Sequence, residues 1–356
     1  MNAIDILPVL LLAIVLYRCN ASELLSSTLH SNYLSPVATK SLRGIFSLVV
    51  VYHHAYQMAG YGILYPIFTR IGYMPVGFFF FLSGYGLMKR SLTDKSYHKS
   101  FLLKRIPTIL IPYALANFVY WLFYYLRGTN YSVTDFISRI VIGDPIVANS
   151  WYIITILLCY TFFWLSISGV RKSPLVTVVI NALFCIIYIA AFIKLEFSPH
   201  WFKTIATFPV GLLWAAFEER ILRIIPKPYF LLLALTASLF GLSMIFQMRY
   251  ANMTAPPIRQ AFFCNTTIIL FVLCMLLVIL KLKIGNGILE YFGEHSLELY
   301  MYHGLFLNWA SPLLSRPNGA FFYTLTVLFC STVIAHITHI VNQWLLRNWK
   351  KLLQVH

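Results

Sequence analysis

The sequence predicts an all-α protein, a polytopic transmembrane helical bundle of about ten core helices with a further short apolar segment at the N-terminus. Two observations carry this prediction. Of the 356 residues, 60% are hydrophobic and only 11% are charged, whereas a soluble chain has roughly 45 to 50% apolar and about 25% charged residues. The mean hydropathy is +0.76. This composition excludes a soluble enzyme, a disordered chain and a fibrous rod, and ten spans of roughly 20 residues leave no room for a sizeable soluble domain.

Apolar runs recur along the whole chain, and each is predicted to be a helix because an open sheet edge cannot satisfy its hydrogen bonds in lipid. In chain order they are 41–60, 74–89, 106–126, 150–168, 174–194, 203–217, 229–247, 261–281, 288–309 and 320–345. A preceding run, Ile4 to Tyr17, is short for a span and lacks a basic leader, so a cleaved signal peptide and an extra helix both stay open. We therefore expect an N-terminal hydrophobic segment and linker (1–37), one transmembrane domain (38–346) and a basic tail (347–356).

Basic residues flank the spans unequally, and Lys and Arg outnumber Asp and Glu by 27 to 11, a formal net charge of +16. By the positive-inside rule the larger basic group is cytoplasmic, and the C-terminus lies with it. This charge is expected to meet anionic lipid head groups and not nucleic acid, since no soluble basic module is apparent. The larger group is Lys40, Arg43, Lys89, Arg90, Lys95, Lys99, Lys104, Arg105, Arg171, Lys172, Arg220, Arg223, Lys227, Lys281, Lys283, Arg347, Lys350 and Lys351. The smaller group is Arg70, Arg127, Arg139, Lys194, Lys203, Arg249, Arg259 and Arg316.

The first long span contains three ionisable side chains, which mark functional candidates because charge inside a bilayer is expensive. It reads SLRGIFSLVVVYHHAYQ and holds Arg43, His53 and His54. Arg43 and His54 are eleven residues apart, about three helical turns, so they share one face with a rise of about 16 Å between them. We expect Arg43 at the cytoplasmic mouth and His54 deep in the same hydrated tunnel. A histidine that only packs, and a His53 that points elsewhere, are the alternatives.

The second span, GYMPVGFFFFLSGYGLMKR, carries small residues suited to close helix contact, at Gly77, Ser83, Gly84 and Gly86. A basic stretch follows it directly. This stretch is either an orientation signal alone or also a phosphate-binding surface for a nucleotide-type cofactor. Its basic residues are Lys89, Arg90, Lys95, Lys99, Lys104 and Arg105.

The ninth span begins FGEHSLELYMYHG, and spacings of four and three place Ser296, Tyr300 and His303 on one helix face that could line a cavity. Glu298 points elsewhere, and Glu294 and His295 are expected to be solvated near the cytoplasmic surface.

Metal and disulfide chemistry are not expected. His336 and His339 have i, i+3 spacing but no third ligand in view. The six cysteines show no CxxC pattern, so they are interpreted as apolar thiols.

Five segments in order, spanning about residues 38 to 345, together resemble the acyltransferase 3 family. They are Arg43-Gly44 through His53-His54, FFFFLSGYGL (Phe78 to Leu87), KRIPTILIPY (Lys104 to Tyr113), NSWYI (Asn149 to Ile153) and SLELYMYH (Ser296 to His303). The family's essential Arg and His on the first core helix map onto Arg43 and His54. Its FF-x-x-SG-[FY] segment maps onto the Phe run through Tyr85 with a register slip of one or two residues. Members usually carry more arginines after the second core helix than Lys104 and Arg105.

The resemblance implies a multi-pass O-acetyltransferase of the bacterial cytoplasmic (inner) membrane. It would move an acetyl or other acyl group from acyl-CoA at the cytoplasmic face to a hydroxyl of a carbohydrate or glycolipid acceptor, without a metal. His54 would be the general base or a covalent acyl-imidazole relay, with His53 as its catalytic partner. Arg43 would orient the donor or counter charge on the thioester oxygen. Donor phosphates would contact Lys89, Arg90, Lys104 and Arg105, and the cavity would be lined by Ser83, Tyr85, Trp151, Ser296, Tyr300 and His303.

Two other classes share this polytopic architecture. A transporter or flippase of a lipid-linked sugar or small solute is one, although the inverted repeats typical of many transporters are not apparent in the sequence. The unrelated membrane-bound O-acyltransferases are the other, and the pairing of Arg43 with His54 fits them less well. The sequence leaves the glycan acceptor, and the choice between acetyl and succinyl, open.

Overall fold

The structure, a computed structural model, describes residues 2–20, 28–30, 32–94, 96–142, 144–169, 173–252 and 254–354. Within those ranges the chain is helical and contains no β-strand, so the predicted all-α bundle is confirmed. Three residues of the predicted cytoplasmic basic group, Lys95, Arg171 and Lys172, lie outside the described ranges.

Fifteen α-helices follow one another in the described residues, joined by short loops and three 3-10 turns. They are α1 (Ile6–Leu16), α2 (Ala38–Ala59), α3 (Ile67–Ile71), α4 (Met74–Thr93), α5 (Tyr97–Arg105), α6 (Pro107–Leu126), α7 (Val133–Val141), α8 (Trp151–Gly169), α9 (Pro174–Lys194), α10 (Thr207–Ile224), α11 (Tyr229–Tyr250), α12 (Pro257–Ile279), α13 (Gly287–Glu294), α14 (Ser296–Trp309) and α15 (Gly319–Gln354).

Seven helical segments in the described chain are long and apolar enough to cross a membrane, which makes the protein an integral multi-pass membrane protein. They are Ile67–Thr93, Tyr97–Leu126, Trp151–Gly169, Pro174–Lys194, Tyr229–Tyr250, Pro257–Ile279 and Gly319–Leu353. Of the ten predicted runs, 41–60 and 203–217 form α2 and α10, which carry several charges. Both helices have a largely buried face, as expected for polar helices in a membrane bundle.

The predicted ninth span is two helices, because α13 ends at Glu294 and α14 starts after His295. α13 lies against the start of α2 at backbone distance: a Cβ on Gly44 would be 2.0 Å from the Leu289 carbonyl oxygen, and a Cβ on Gly293 would be 1.7 Å from that of Lys40. This contact fixes the direction of α13, and α14 then continues separately.

His295, at this break, corrects the expectation of a solvated side chain. It is only 6% exposed. Its Nδ1 donates to the Tyr291 carbonyl oxygen at 2.8 Å, and its Nε2 lies 3.1 Å from Nδ1 of His336. The turn between α13 and α14 is therefore held by a buried histidine bonded to α15.

α1 packs into the bundle as an additional helix. Ile4, Leu7 and Leu11 are buried against a cluster of α2 and α13 side chains. The buried Asp5 carboxylate accepts from the backbone N–H groups of residues 63 to 65 at 2.8, 2.8 and 3.2 Å, beyond the end of α2. At the other end of α1, Asn286 donates to the Ile14 carbonyl oxygen at 2.8 Å. α1 thus connects loops at opposite ends of α2.

α4 and α10 pack through small residues, as the pattern predicts at Gly84, whereas nothing lies within 4 Å of a Cβ added at Gly86. A Cβ on Gly84 would be 2.2 Å from the Phe208 carbonyl oxygen, and a Cβ on Gly211 would be 2.1 Å from that of Phe81. Each glycine therefore admits the backbone of the other helix, and no side chain fits at either position without a shift.

Replacing Gly211 with Ala should separate α4 from α10 and destabilise the protein by about 1 to 3 kcal/mol, the usual cost of overpacking. The measurement is the thermal unfolding midpoint of the detergent-solubilised protein. Gly241→Ala in α11 is the matched control, since nothing lies within 4 Å of the added methyl. Equal midpoints for Gly211→Ala and the wild type would contradict the close contact.

Candidate active site

A cavity of about 1050 Å³ lies among α2, α4, α5, α6, α8, α10 and α14, at the end of the bundle where α2 starts and α4 ends. We call it the basic cavity. Five cationic side chains line it: Arg43, Lys89, Arg90, Lys104 and Arg105. The predicted lining residues Ser83, Tyr85, Ser296 and Tyr300 also belong to its wall.

The cations of the basic cavity are unequally neutralised. Lys89 is ion-paired with Glu218, with Nζ 2.6 Å from Oε2, and Arg90 lies 3.5 Å from Asp94. Among the described ion pairs, neither Arg43 nor Arg105 has a carboxylate partner, and the buried Nε of each makes no hydrogen bond. A buried donor without an acceptor costs free energy. These two guanidinium groups therefore favour an anion in the cavity.

Arg105 is held in place by an aromatic ring. Its guanidinium carbon lies 5.4 Å from the ring centre of Tyr160, and Nη2 lies 3.4 Å from the Tyr160 hydroxyl. That hydroxyl in turn lies 3.5 Å from Oγ of Ser83. A cation over a ring is stabilised without losing its charge, so Arg105 stays available to an anion.

Glu218 connects several side chains in one wall of the basic cavity, and it was not predicted from the sequence as a site residue. It is 8% exposed. Besides its ion pair with Lys89, its Oε1 accepts from the hydroxyls of Tyr33 and Tyr85 at 2.8 and 2.9 Å. Trp214 donates to the Tyr33 hydroxyl at 2.7 Å. Glu218 follows the apolar run 203–217 by one residue, and the rule that an acidic group inside a bundle must be paired was the signal available.

Two tyrosines form the inner wall of the basic cavity. The rings of Tyr152 and Tyr300 lie 5.4 Å apart and both line the cavity. The Tyr300 hydroxyl donates to the carbonyl oxygen of Asn149 at 2.7 Å. Tyr300 and His303 are neighbours on α14, with ring centres 6.0 Å apart. This tyrosine layer stands between the cations and a group of histidines.

The structure does not bring His54 into the basic cavity. His54 lies five residues before the end of α2, about 7.5 Å from that end along the helix axis. It is half-buried, as is His53, and the two rings are 4.8 Å apart. The single tunnel expected from the sequence is thus two regions, with Arg43 in one and His54 in the other.

His54 stacks on His303, with ring centres 5.1 Å apart and planes 27° apart. His303 is fully buried, and both its nitrogens are engaged. Nδ1 donates to the Leu299 carbonyl oxygen at 3.2 Å, and Nε2 accepts from Nδ2 of Asn149 at 3.3 Å. These two bonds are those of a neutral imidazole, and they leave neither nitrogen of His303 open to a further partner.

The remaining predicted residues lie outside the wall of the basic cavity. Trp151 is buried with its ring 5.6 Å from His200, close to the histidines. On the far side of α14, His339 Nδ1 lies 3.2 Å from Glu298, which also accepts from Asn342 at 3.0 Å. The described residues contain no group of three or more His, Cys, Asp or Glu side chains placed to hold a metal.

Comparison with known proteins identifies the family. The family model described as an acyltransferase domain, Acyl_transf_3, matches residues 40–339. No curated protein matches the chain, and no solved structure does. The match covers the five cations of the basic cavity, the two tyrosines of its inner wall and the histidines of α2 and α14. The chain therefore belongs to the acyltransferase 3 family and is a multi-pass membrane acyltransferase.

Proposed function

We propose that the protein transfers an acyl group, specifically acetyl, from acyl-CoA to a hydroxyl of a cell-surface or secreted glycan. The observation that carries this proposal is that two guanidinium groups in the wall of the basic cavity, those of Arg43 and Arg105, have no carboxylate partner among the described residues. They provide the positive charge and the hydrogen-bond donors that a polyanionic acyl donor needs. The family to which the chain belongs transfers acyl groups.

The donor fits the basic cavity in size and charge. About 1050 Å³ lies at the upper end of the usual range for small-molecule sites, which suits a ligand as long as CoA. The exposed cations Arg90 and Lys104 and the half-buried Lys89 at the rim suit its phosphates. Arg43 and Arg105 further in supply donors that still lack acceptors. We propose that the end of the bundle with the basic cavity lies at the cytoplasmic face of a bacterial inner membrane, with the C-terminus on the same side.

Donor and acceptor would enter from opposite ends of the bundle. His54 lies near the end of α2 that is remote from the basic cavity, with the exposed Gln57 one turn further along. A glycan outside the cytoplasm would meet the histidines there. The acyl end of the donor would pass the layer of Tyr152 and Tyr300 to reach the same point.

The chemical step needs a proton acceptor, because an alcohol is a poor nucleophile at neutral pH. His54 takes the hydroxyl proton as the alcohol oxygen bonds to the thioester carbon, the carbon–sulfur bond breaks, and the proton then passes to the CoA thiolate. Arg43 is about 16 Å from His54 along α2, so it cannot contact the carbonyl that reacts beside His54. Of its two expected roles, this leaves donor binding.

Replacing Arg43 with Lys should weaken acetyl-CoA binding about 10- to 100-fold, the worth of a charge-assisted hydrogen bond, because Lys keeps the charge but loses the planar fork. The measurement is the Kd of radiolabelled acetyl-CoA for the purified protein. Arg347→Lys, the same change at an exposed position on α15, is the matched control. Wild-type affinity in Arg43→Lys would reduce Arg43 to an orientation signal.

Replacing His54 with Ala should lower acetyl transfer about 100- to 10,000-fold, the usual contribution of a general base, with folding and membrane insertion unchanged. The assay follows label from acetyl-CoA into the source cell's own surface polysaccharide after alkaline removal of its acetyl groups. Ile337→Ala, at an exposed position of α15, is the control. Full activity in His54→Ala would exclude its role.

The two possible roles of His54, general base and covalent acyl relay, predict different amounts of released CoA when no acceptor is present. If His54 acts as a base, acetyl-CoA alone should give no rapid release of CoA, because the thioester bond breaks only when an alcohol attacks. A rapid-quench measurement of free thiol would test this. A burst of CoA equal to the amount of enzyme would assign an acyl-imidazole intermediate to His54 and contradict the base.

A further inference from the structure

A chain of hydrogen bonds connects four groups at the end of α2 remote from the basic cavity. It runs from the carbonyl oxygen of Phe68 on α3 through His53 and Gln57 to His54. The three distances are 2.8 Å from Phe68 O to His53 Nδ1, 3.3 Å from His53 Nε2 to Gln57 Nε2, and 3.0 Å from Gln57 Oε1 to His54 Nδ1.

The direction of the first two bonds follows from the carbonyl. A backbone carbonyl only accepts, so Nδ1 of His53 must carry the proton. In a neutral imidazole the other nitrogen is then an acceptor, so Nε2 of His53 presents a lone pair. Gln57 must meet that lone pair with its amide nitrogen, which is the group found there. The orientation of the Gln57 amide is thereby determined.

The last bond sets the state of His54. With its nitrogen directed at His53, Gln57 directs its oxygen at Nδ1 of His54, and an amide oxygen only accepts. Nδ1 of His54 therefore carries the proton, and Nε2 carries the lone pair. No described residue hydrogen-bonds to Nε2 of His54. This is the nitrogen that is free to accept a proton.

Neighbouring side chains hold the hydrogen-bonded groups in place. Phe68 is buried with its ring 5.1 Å from that of Tyr52. A Cβ on Gly72 would lie 2.0 Å from Cγ of His53, so the absence of a side chain at Gly72 makes room for that ring. His303 stacks on the other side of His54 without competing for it, because both His303 nitrogens already have partners.

We propose that Gln57 is a positioning residue that fixes the tautomer of His54, and that His53 fixes the orientation of Gln57. This rests on the proposed function, in which His54 accepts the hydroxyl proton. During transfer Nε2 takes that proton and returns it to the CoA thiolate, while the Nδ1 proton stays on His54, bonded to Gln57. His53 acts only through Gln57.

Histidine ¹⁵N NMR of the membrane-reconstituted protein tests the tautomer without any activity. His54 is assigned by the signals that disappear in His54→Asn. We expect a protonated Nδ1 and an unprotonated Nε2 on His54 in the wild type, and a mixture of the two tautomers in Gln57→Met, which keeps the length of the side chain but removes both hydrogen bonds. An Nε2-protonated His54 in the wild type would overturn the proposal.

Kinetics test the consequence. Gln57→Met should lower kcat about 10- to 100-fold, as loss of a hydrogen bond that orients a base does, and leave the KM for acetyl-CoA unchanged because the donor cations are remote. Met58→Ala, an exposed neighbour on α2, is the matched control. A change in KM alone, or an unchanged kcat, would contradict a positioning role.

A double variant tests whether His53 and Gln57 act through one hydrogen-bond chain or through independent packing effects. His53→Phe and Gln57→Met should be non-additive, with the double variant no slower than the slower single variant, because both break the same chain. Additive losses would contradict it. A fully active His54→Ala would instead overturn the proposed function, and this inference with it, even where NMR finds the expected tautomer.

Discussion

The structure depends on α2 being one continuous helix whose start packs backbone to backbone against α13. Gly44 and Gly293 let α13 approach the start of α2 so closely that no Cβ fits between them. A helix of this kind cannot stretch or fold, so Arg43 and His54 stay about 16 Å apart along its axis. The basic cavity and the histidines are consequently separate regions, and a substrate that uses both must be long enough to reach from one to the other.

Pairing distinguishes the cations that build the site from those that are free to bind. The carboxylate of Glu218 neutralises Lys89 and ties two tyrosine hydroxyls to the same wall. Arg43 and Arg105 have no such carboxylate partner in the described chain, so their buried Nε groups stay open to an anion. At the opposite end, His53 and His54 are ordered by hydrogen bonds that start from the Phe68 carbonyl, and this arrangement needs no net charge.

Composition and spacing predicted most of the fold. The apolar runs correspond to helices because a backbone in lipid has no other way to bond its own polar groups. The run 288–309 was predicted as one helix and is two, because the break at His295 depends on the contact of α13 with α2 and on His336 in α15. Both are long-range contacts that no local pattern contains. The packing of α1 against α2 and α13 is likewise a set of long-range contacts.

The sequence by itself determined the class of protein, the all-α bundle, the family resemblance and the shared helix face of Arg43 and His54, because hydropathy and helical periodicity are properties of local sequence. Only the tertiary structure decided which side chains meet. It placed the four predicted phosphate-contact residues with Arg43 in one cavity, separated His54 from them by two tyrosines, and brought in Glu218, Asn149 and Gln57 as partners. Apart from Gln57, which is three residues from His54 on the same helix, these partners come from segments far apart in the chain. The direction of a hydrogen bond follows from the groups that meet in space rather than from their spacing in sequence.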